Sequence, residues 1–177
     1  MGGRFILRSE IQELFGDFNL FSRQIANVQL SNLSFDVYEF RDKSAMQVDL
    51  LFTRKGQFDN IQEAFSAIFK KQLYDGEEWD TCDEPDSSDE QWLTLKNFWI
   101  NEYYPRKCVC IESVKGDFIS KFKRDLADVN VPESVVKELL IRLNHIETIQ
   151  IQKGYVHECI FGQSDSHYFL FEWGIYA

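Results

Sequence analysis

Nine acidic residues, Asp75, Glu77, Glu78, Asp80, Asp83, Glu84, Asp86, Asp89 and Glu90, fall in one sixteen-residue stretch that holds no Lys or Arg. The formal net charge of the whole chain is −10, so this one segment carries nearly all of the excess. Like charges packed this closely repel, and something must offset or use them. The stretch therefore reads as an acidic surface loop set within a folded chain. One use is a docking surface for a basic partner, with Trp79 and Trp92 as apolar anchors of the kind that stabilise interfaces. The other is a solvated loop whose charges prevent aggregation. The tryptophans favour docking, because solvated tails usually lack them. No segment fits the D-x-[DN]-x-[DN]-G-x₅-E spacing of a calcium loop.

The 177 residues fit one domain. Aromatic residues make up 15%, led by sixteen Phe. Each buried aromatic removes about 150–250 Å² from water, so a large core is available. A pI near 4.8 argues against general nucleic-acid binding, which needs Lys and Arg to displace counterions from phosphates. It argues equally against an anionic membrane surface. The start MGGRFILRSE has only a short apolar run before charge, and its sixth residue is Ile where a myristoylation signal needs Ser or Thr. No run approaches the length of a membrane helix. Cys82, Cys108, Cys110 and Cys159 are too sparse for a disulfide framework, which points to free thiols in a reducing cytoplasm.

The periodicity predicts an α+β fold, an antiparallel sheet built from hairpins and packed with about four to five helices. Ser9–Phe15 reads as a helix with Ser9 as N-cap and Gly16 as stop. Asp17–Ser34 is ambiguous. Phe35–Phe40 alternates, with Phe35, Val37 and Glu39 on one face, and pairs with Met46–Phe52 in a hairpin. Phe58–Tyr74 carries Phe58, Ile61, Phe65, Ile68, Phe69 and Gln72 on one helical face. Ser88–Gln91 fits a capping box that opens a helix with Trp92, Leu95, Trp99 and Tyr103 on one stripe. Lys107–Glu112 reads as a strand, and a helix follows Gly116-Asp117. Pro132 suits the first turn of the next helix. Strands Thr148–Gln152, Tyr155–Phe161 and His167–Trp173 end the chain, with turns at Lys153-Gly154 and Gly162–Ser166.

Cys108, Cys110, His157 and Cys159 offer three thiols and an imidazole, the ligand types of a zinc site. Same-face strand residues lie about 6.6 Å apart, wider than a tetrahedral ion prefers. Free Cys is also a common core residue, so packing is the simpler role. A thiol nucleophile would need His145, His157 or His167 as base, and no local signature supports the pairing. Asp49 with Arg54 and Lys55, and Glu112 with Lys115, resemble parts of a metal-dependent nuclease site without its full spacing. Phosphate-cradling and nucleophile-elbow motifs are absent. The aromatic pairs Phe98-Trp99 and Tyr103-Tyr104 lack the basic groove that base-stacking platforms require.

A compact acidic α+β chain without a catalytic signature resembles, in style, bacterial immunity proteins and phage-encoded inhibitors of nucleases. Asp75–Glu90 with Trp79 and Trp92 carry the resemblance. It implies a non-enzymatic protein, without a cofactor, that occludes a basic toxin or nuclease through the acidic loop. An enzyme using Asp49, Glu112 or the Cys/His set, and an acidic scaffold or adaptor subunit, are the alternatives.

Overall fold

Tyr168, Phe169, Leu170 and Phe171 are consecutive large apolar residues. Successive side chains on a strand point to opposite faces, so this strand needs apolar cover on both sides. The computed structural model, which describes residues 6–75, 111–113, 115–154 and 156–176, supplies that cover. Six antiparallel strands form one sheet in the order β1-β2-β6-β5-β4-β3. They are β1 (Asp36–Arg41), β2 (Met46–Arg54), β3 (Ile111–Ser113), β4 (Glu147–Lys153), β5 (His157–Gln163) and β6 (His167–Ile175). Among the described residues there are five α-helices: α1 (Ile6–Gly16), α2 (Phe18–Asn27), α3 (Ile61–Asp75), α4 (Lys115–Asp128) and α5 (Glu133–Ile141). The fold is α+β, as the periodicity predicts.

Helices α1, α2 and α3 cover one face, where Leu7, Ile11, Phe21, Ile25, Phe65 and Ile68 pack on Leu51, Phe161, Tyr168 and Leu170. Helices α4 and α5 cover the other, where Phe118, Phe122, Leu126 and Leu139 pack on Leu50, Phe52, Phe169 and Phe171. Strand β6 lies between β2 and β5, at the centre of this three-layer arrangement. None of the helices among the described residues is long and apolar enough to cross a membrane.

Several element boundaries differ from the sequence expectation. Helix α1 starts by Ile6, so Ser9 is interior and not its cap. The Leu7 N–H is instead satisfied by the Glu147 carboxylate, Oε1 at 2.9 Å, from the start of β4. The ambiguous stretch after Gly16 holds α2, capped by Asp17, whose Oδ1 accepts from the Leu20 N–H at 3.0 Å. Helix α3 starts at Ile61, later than expected. Asn60 Oδ1 accepts from the Glu63 N–H at 2.9 Å, and Glu63 reaches back to the Asp59 N–H at 3.1 Å. That reciprocal cap leaves Phe58 outside the helix, packed against the core. Pro132 is the N-cap of α5 and not its first helical residue.

Gly162 is the clearest correction. It belongs to β5, not to the following turn, and pairs with Phe169. A Cβ there would lie 2.2 Å from Cζ of the Phe169 ring, so the glycine marks a close approach across strands. The capping box at Ser88–Gln91, the stripe from Trp92 to Tyr103 and most of Lys107–Glu112 lie outside the described residues.

Candidate functional site

Strand pairing brings together side chains that are far apart in sequence. Glu39 on β1 sits directly opposite Asp49 on β2, and Asp49 directly opposite Glu172 on β6. Opposed residues in antiparallel strands point to the same face. Three carboxylates therefore form one cross-strand row, an arrangement that costs stability when like charges face each other. The same row continues to Cys159 on β5. It marks where the apolar cover of α1–α3 gives out: Cys159 is buried, Asp49 and Glu172 are half-buried, and Glu39 is exposed.

Neighbouring groups hold the row in place. Gln47 Nε2 lies 2.7 Å from both carboxylate oxygens of Asp49. From α3 above, Gln72 donates its amide N–H to Glu172. His157 Nε2 lies 3.5 Å from Glu172 Oε1, from the adjacent position on β5. Burial pushes the Asp49 carboxyl up to about 6, and Glu172 and Glu39 add to the rise while Gln47 and Arg41 oppose it. Such a carboxyl changes its charge just below neutral pH. Tyr176 folds its ring over Gly174, the next same-face position on β6, where any Cβ would meet the ring at 2.7 Å.

The chain leaves this site toward the acidic stretch. Helix α3 ends at Asp75, within one turn of Gln72. The remaining members of the expected docking surface, Glu77, Glu78, Trp79, Asp80, Asp83, Glu84, Asp86, Asp89, Glu90 and Trp92, lie outside the described residues. No protein-family model, no curated protein and no solved structure matches this chain.

The other sequence candidates scatter. Cys159 packs in the core beneath α1–α3 with Ile149, Phe161 and Leu170. His157 shares its strand face and turns to Glu172. Cys108 and Cys110 lie outside the described residues, and among the described ones no group of three or more such side chains is placed to hold a metal ion. Asp49 and the backbone of Glu112 are separated by three intervening strands, about 19 Å at the usual strand spacing, so they do not share a nuclease-like centre.

His167 stands five positions along β6 from Glu172, the partner of Cys159, so it is about 17 Å from the thiol's row. It packs edge-on against Phe52 and accepts or donates at Nδ1 to Ser166 Oγ at 2.7 Å. It is half-buried and not a simple surface residue. Burial and the nearby Arg142 and Arg54 hold it below the usual imidazole range. His145 is exposed and pairs with Asp165 at 2.7 Å.

Sequence reasoning named Asp49 but not Glu39, Glu172, Gln47 or Gln72 as parts of one site. A signal existed in the strands themselves. Glu39 interrupts the Phe35–Val37 face, and Glu172 breaks the apolar run of β6. The β1–β2 and β2–β6 pairings set each of them directly opposite Asp49, one on either side.

Proposed function

We propose that this chain is a non-enzymatic inhibitor of the immunity type, acting in the cytoplasm, which binds and occludes a basic protein such as a nuclease toxin or a defence nuclease. The observation that carries this reading is the Glu39–Asp49–Glu172 row at the end of α3, the helix that leads into the acidic stretch. The row is an acidic region on the folded surface of a chain whose formal net charge is −10. Such a region speeds encounter with a cationic partner and repels nucleic acid and anionic membrane. Trp79 and Trp92 are the apolar anchors in this reading.

The test is a pull-down from native lysate at low and high salt, with recovered proteins identified by mass spectrometry. Wild type is compared with Asp80→Asn/Asp83→Asn/Glu84→Gln/Asp86→Asn and with Glu39→Gln/Glu172→Gln. A basic protein held by wild type at low salt, released by salt and lost from both variants supports the reading. Equal recovery by all three removes both acidic elements from the role.

A second reading draws on Asp49. A carboxyl that titrates near 6 beside the His157–Glu172 pair suits proton transfer in a hydrolase. Hydrolytic activity lost on Asp49→Asn, with the fold intact, would favour it over the inhibitor.

A further inference from the structure

Strand β1 lies at the edge of the sheet, and among the described residues no strand lies on its outer side. Its inner side is fully engaged. The Asp42 N–H donates to the Met46 carbonyl at 3.0 Å, which makes that pair a hydrogen-bonded one. Hydrogen-bonded and non-hydrogen-bonded pairs alternate along an antiparallel ladder. With the register Phe40↔Val48 and Tyr38↔Leu50, the even-numbered residues of β1 direct their backbone groups to β2. Val37, Glu39 and Arg41 direct theirs outward. The strand is also held firmly: Arg142, the C-cap of α5, binds Asp36 at 2.6 Å and lies over the Tyr38 ring. A firm edge with outward N–H and C=O groups is a template for another strand.

Many edges are protected by charge, and β1 does carry Asp36, Glu39 and Arg41. Here the order of the charges matters. Glu39 and Arg41 flank Phe40 with opposite signs on the same face of the sheet. Rotated half a turn about Phe40, the strand is its own complement.

We infer that two copies of this chain pair antiparallel through β1, with Phe40 opposite Phe40 and each Glu39 opposite the other copy's Arg41. In this register each Glu39–Arg41 pair exchanges both backbone hydrogen bonds, because both residues point outward. Phe40, already packed against the α4–α5 core, meets its twin at the close, non-hydrogen-bonded position, where aromatic pairs interact best. The second copy's Arg41 also extends the Glu39–Asp49–Glu172 row with a cation. Within one chain Arg41 already opposes the charge on Asp49, and the pairing sets a second cation against Glu39 at the sheet edge. The six-strand sheets join into one. The contact is narrow, so the dimer is a weak one that forms as concentration rises. The inference rests on the sheet edge and does not need the inhibitor reading; the two share Glu39, and sedimentation of the chain alone tests the dimer with no basic partner present.

Sedimentation velocity of the full chain from about 1 µM to about 1 mM tests it. Wild type is expected to pass from monomer to dimer. Glu39→Arg places like charges opposite each other and is expected to weaken the dimer about tenfold or more. Glu39→Arg/Arg41→Glu restores the pairing with signs exchanged and recovers the wild-type affinity. Amide hydrogen exchange supplies a readout that needs no variant: the Glu39 and Arg41 amides gain protection with concentration while α5 amides do not. A wild type that stays monomeric throughout overturns the inference. So does a dimer that ignores both variants, or one whose Glu39 and Arg41 amides exchange at the same rate at every concentration.

Discussion

Glu147 accepts a hydrogen bond from the backbone N–H of Leu7, a partner 140 positions earlier in the chain. The bond closes one orphan donor at the start of α1, and the carboxylate faces the positive end of the helix dipole. Its second oxygen accepts from Gln163 Nε2 at 2.8 Å, which ties the cap to β5. Glu147→Ala should therefore destabilise the chain by about 1–2 kcal/mol, within the range for a lost helix cap. Glu147→Gln should recover part of that, and Ser9→Ala should cost much less. Urea denaturation followed by circular dichroism measures all three, and an equal cost for Ser9→Ala and Glu147→Ala would contradict the assignment.

Asp49 should make stability depend on pH in an unusual direction. Its carboxyl titrates near 6 in the fold against an ordinary value of 3.8. Between those values the folded state holds a proton that the unfolded chain has released. This contribution is full below about pH 4, falls as pH rises through 6, and is flat above. Asp49→Asn should raise stability at pH 7.5 by on the order of 1–2 kcal/mol, a figure reduced from the full shift because the group is only half-buried. The gain should shrink at pH 4.5. Guanidinium melts at the two pH values check the sign.

Gly162→Ala should be costly although the change is one methyl group. The added Cβ meets the Phe169 ring at 2.2 Å, and that ring is packed against Phe52 and Phe118. Overpacking of this kind costs about 1–3 kcal/mol. Phe169→Leu removes the obstacle, so the double variant should be more stable than the sum of the two single effects predicts. Strict additivity in a thermal-melt cycle would show that the two positions do not touch.

Lys70 should act as a C-terminal clamp. Its Nζ donates to the carbonyls of Ile25 at 3.1 Å and Val28 at 2.8 Å, at the end of α2. A cation there also suits the negative end of the dipole. Lys70→Met keeps the apolar stem and removes both bonds, at a cost of about 1–3 kcal/mol. The expected signature is faster amide exchange in the last turn of α2 with α3 itself unchanged. Uniform exchange across both helices would assign the loss to global stability alone.

Much of the fold could be read from local pattern. The alternation of Phe35–Phe40 and Met46–Phe52 marks the β1–β2 hairpin, and the stripe Ile61, Phe65, Ile68, Phe69 marks α3. What escaped depends on distant partners. The start of α1 is set by Glu147, and nothing near Ser9 reports that. Gly162 reads as a turn residue until Phe169 is placed across from it. The acidic stretch was the plainest signal in the sequence. The folded part of the candidate site was not, because Glu39, Asp49 and Glu172 become a row only through the pairing of β2 with both β1 and β6. Local composition carries charge density, whereas register carries charge geometry.

The central place of β6 has a consequence for how the chain folds. Strand β2 gains its inner neighbour only from residues on the order of a hundred positions later, and β5 needs the same strand. A nascent chain that has already formed the β1–β2 hairpin and α3 must hold an open apolar edge until His167–Ile175 leaves the ribosome. Assembly is then a late, nearly all-at-once event. A stall or truncation just before β6 would leave two half-sheets with bare Leu50, Phe52 and Phe161, a prime target for chaperones and for aggregation.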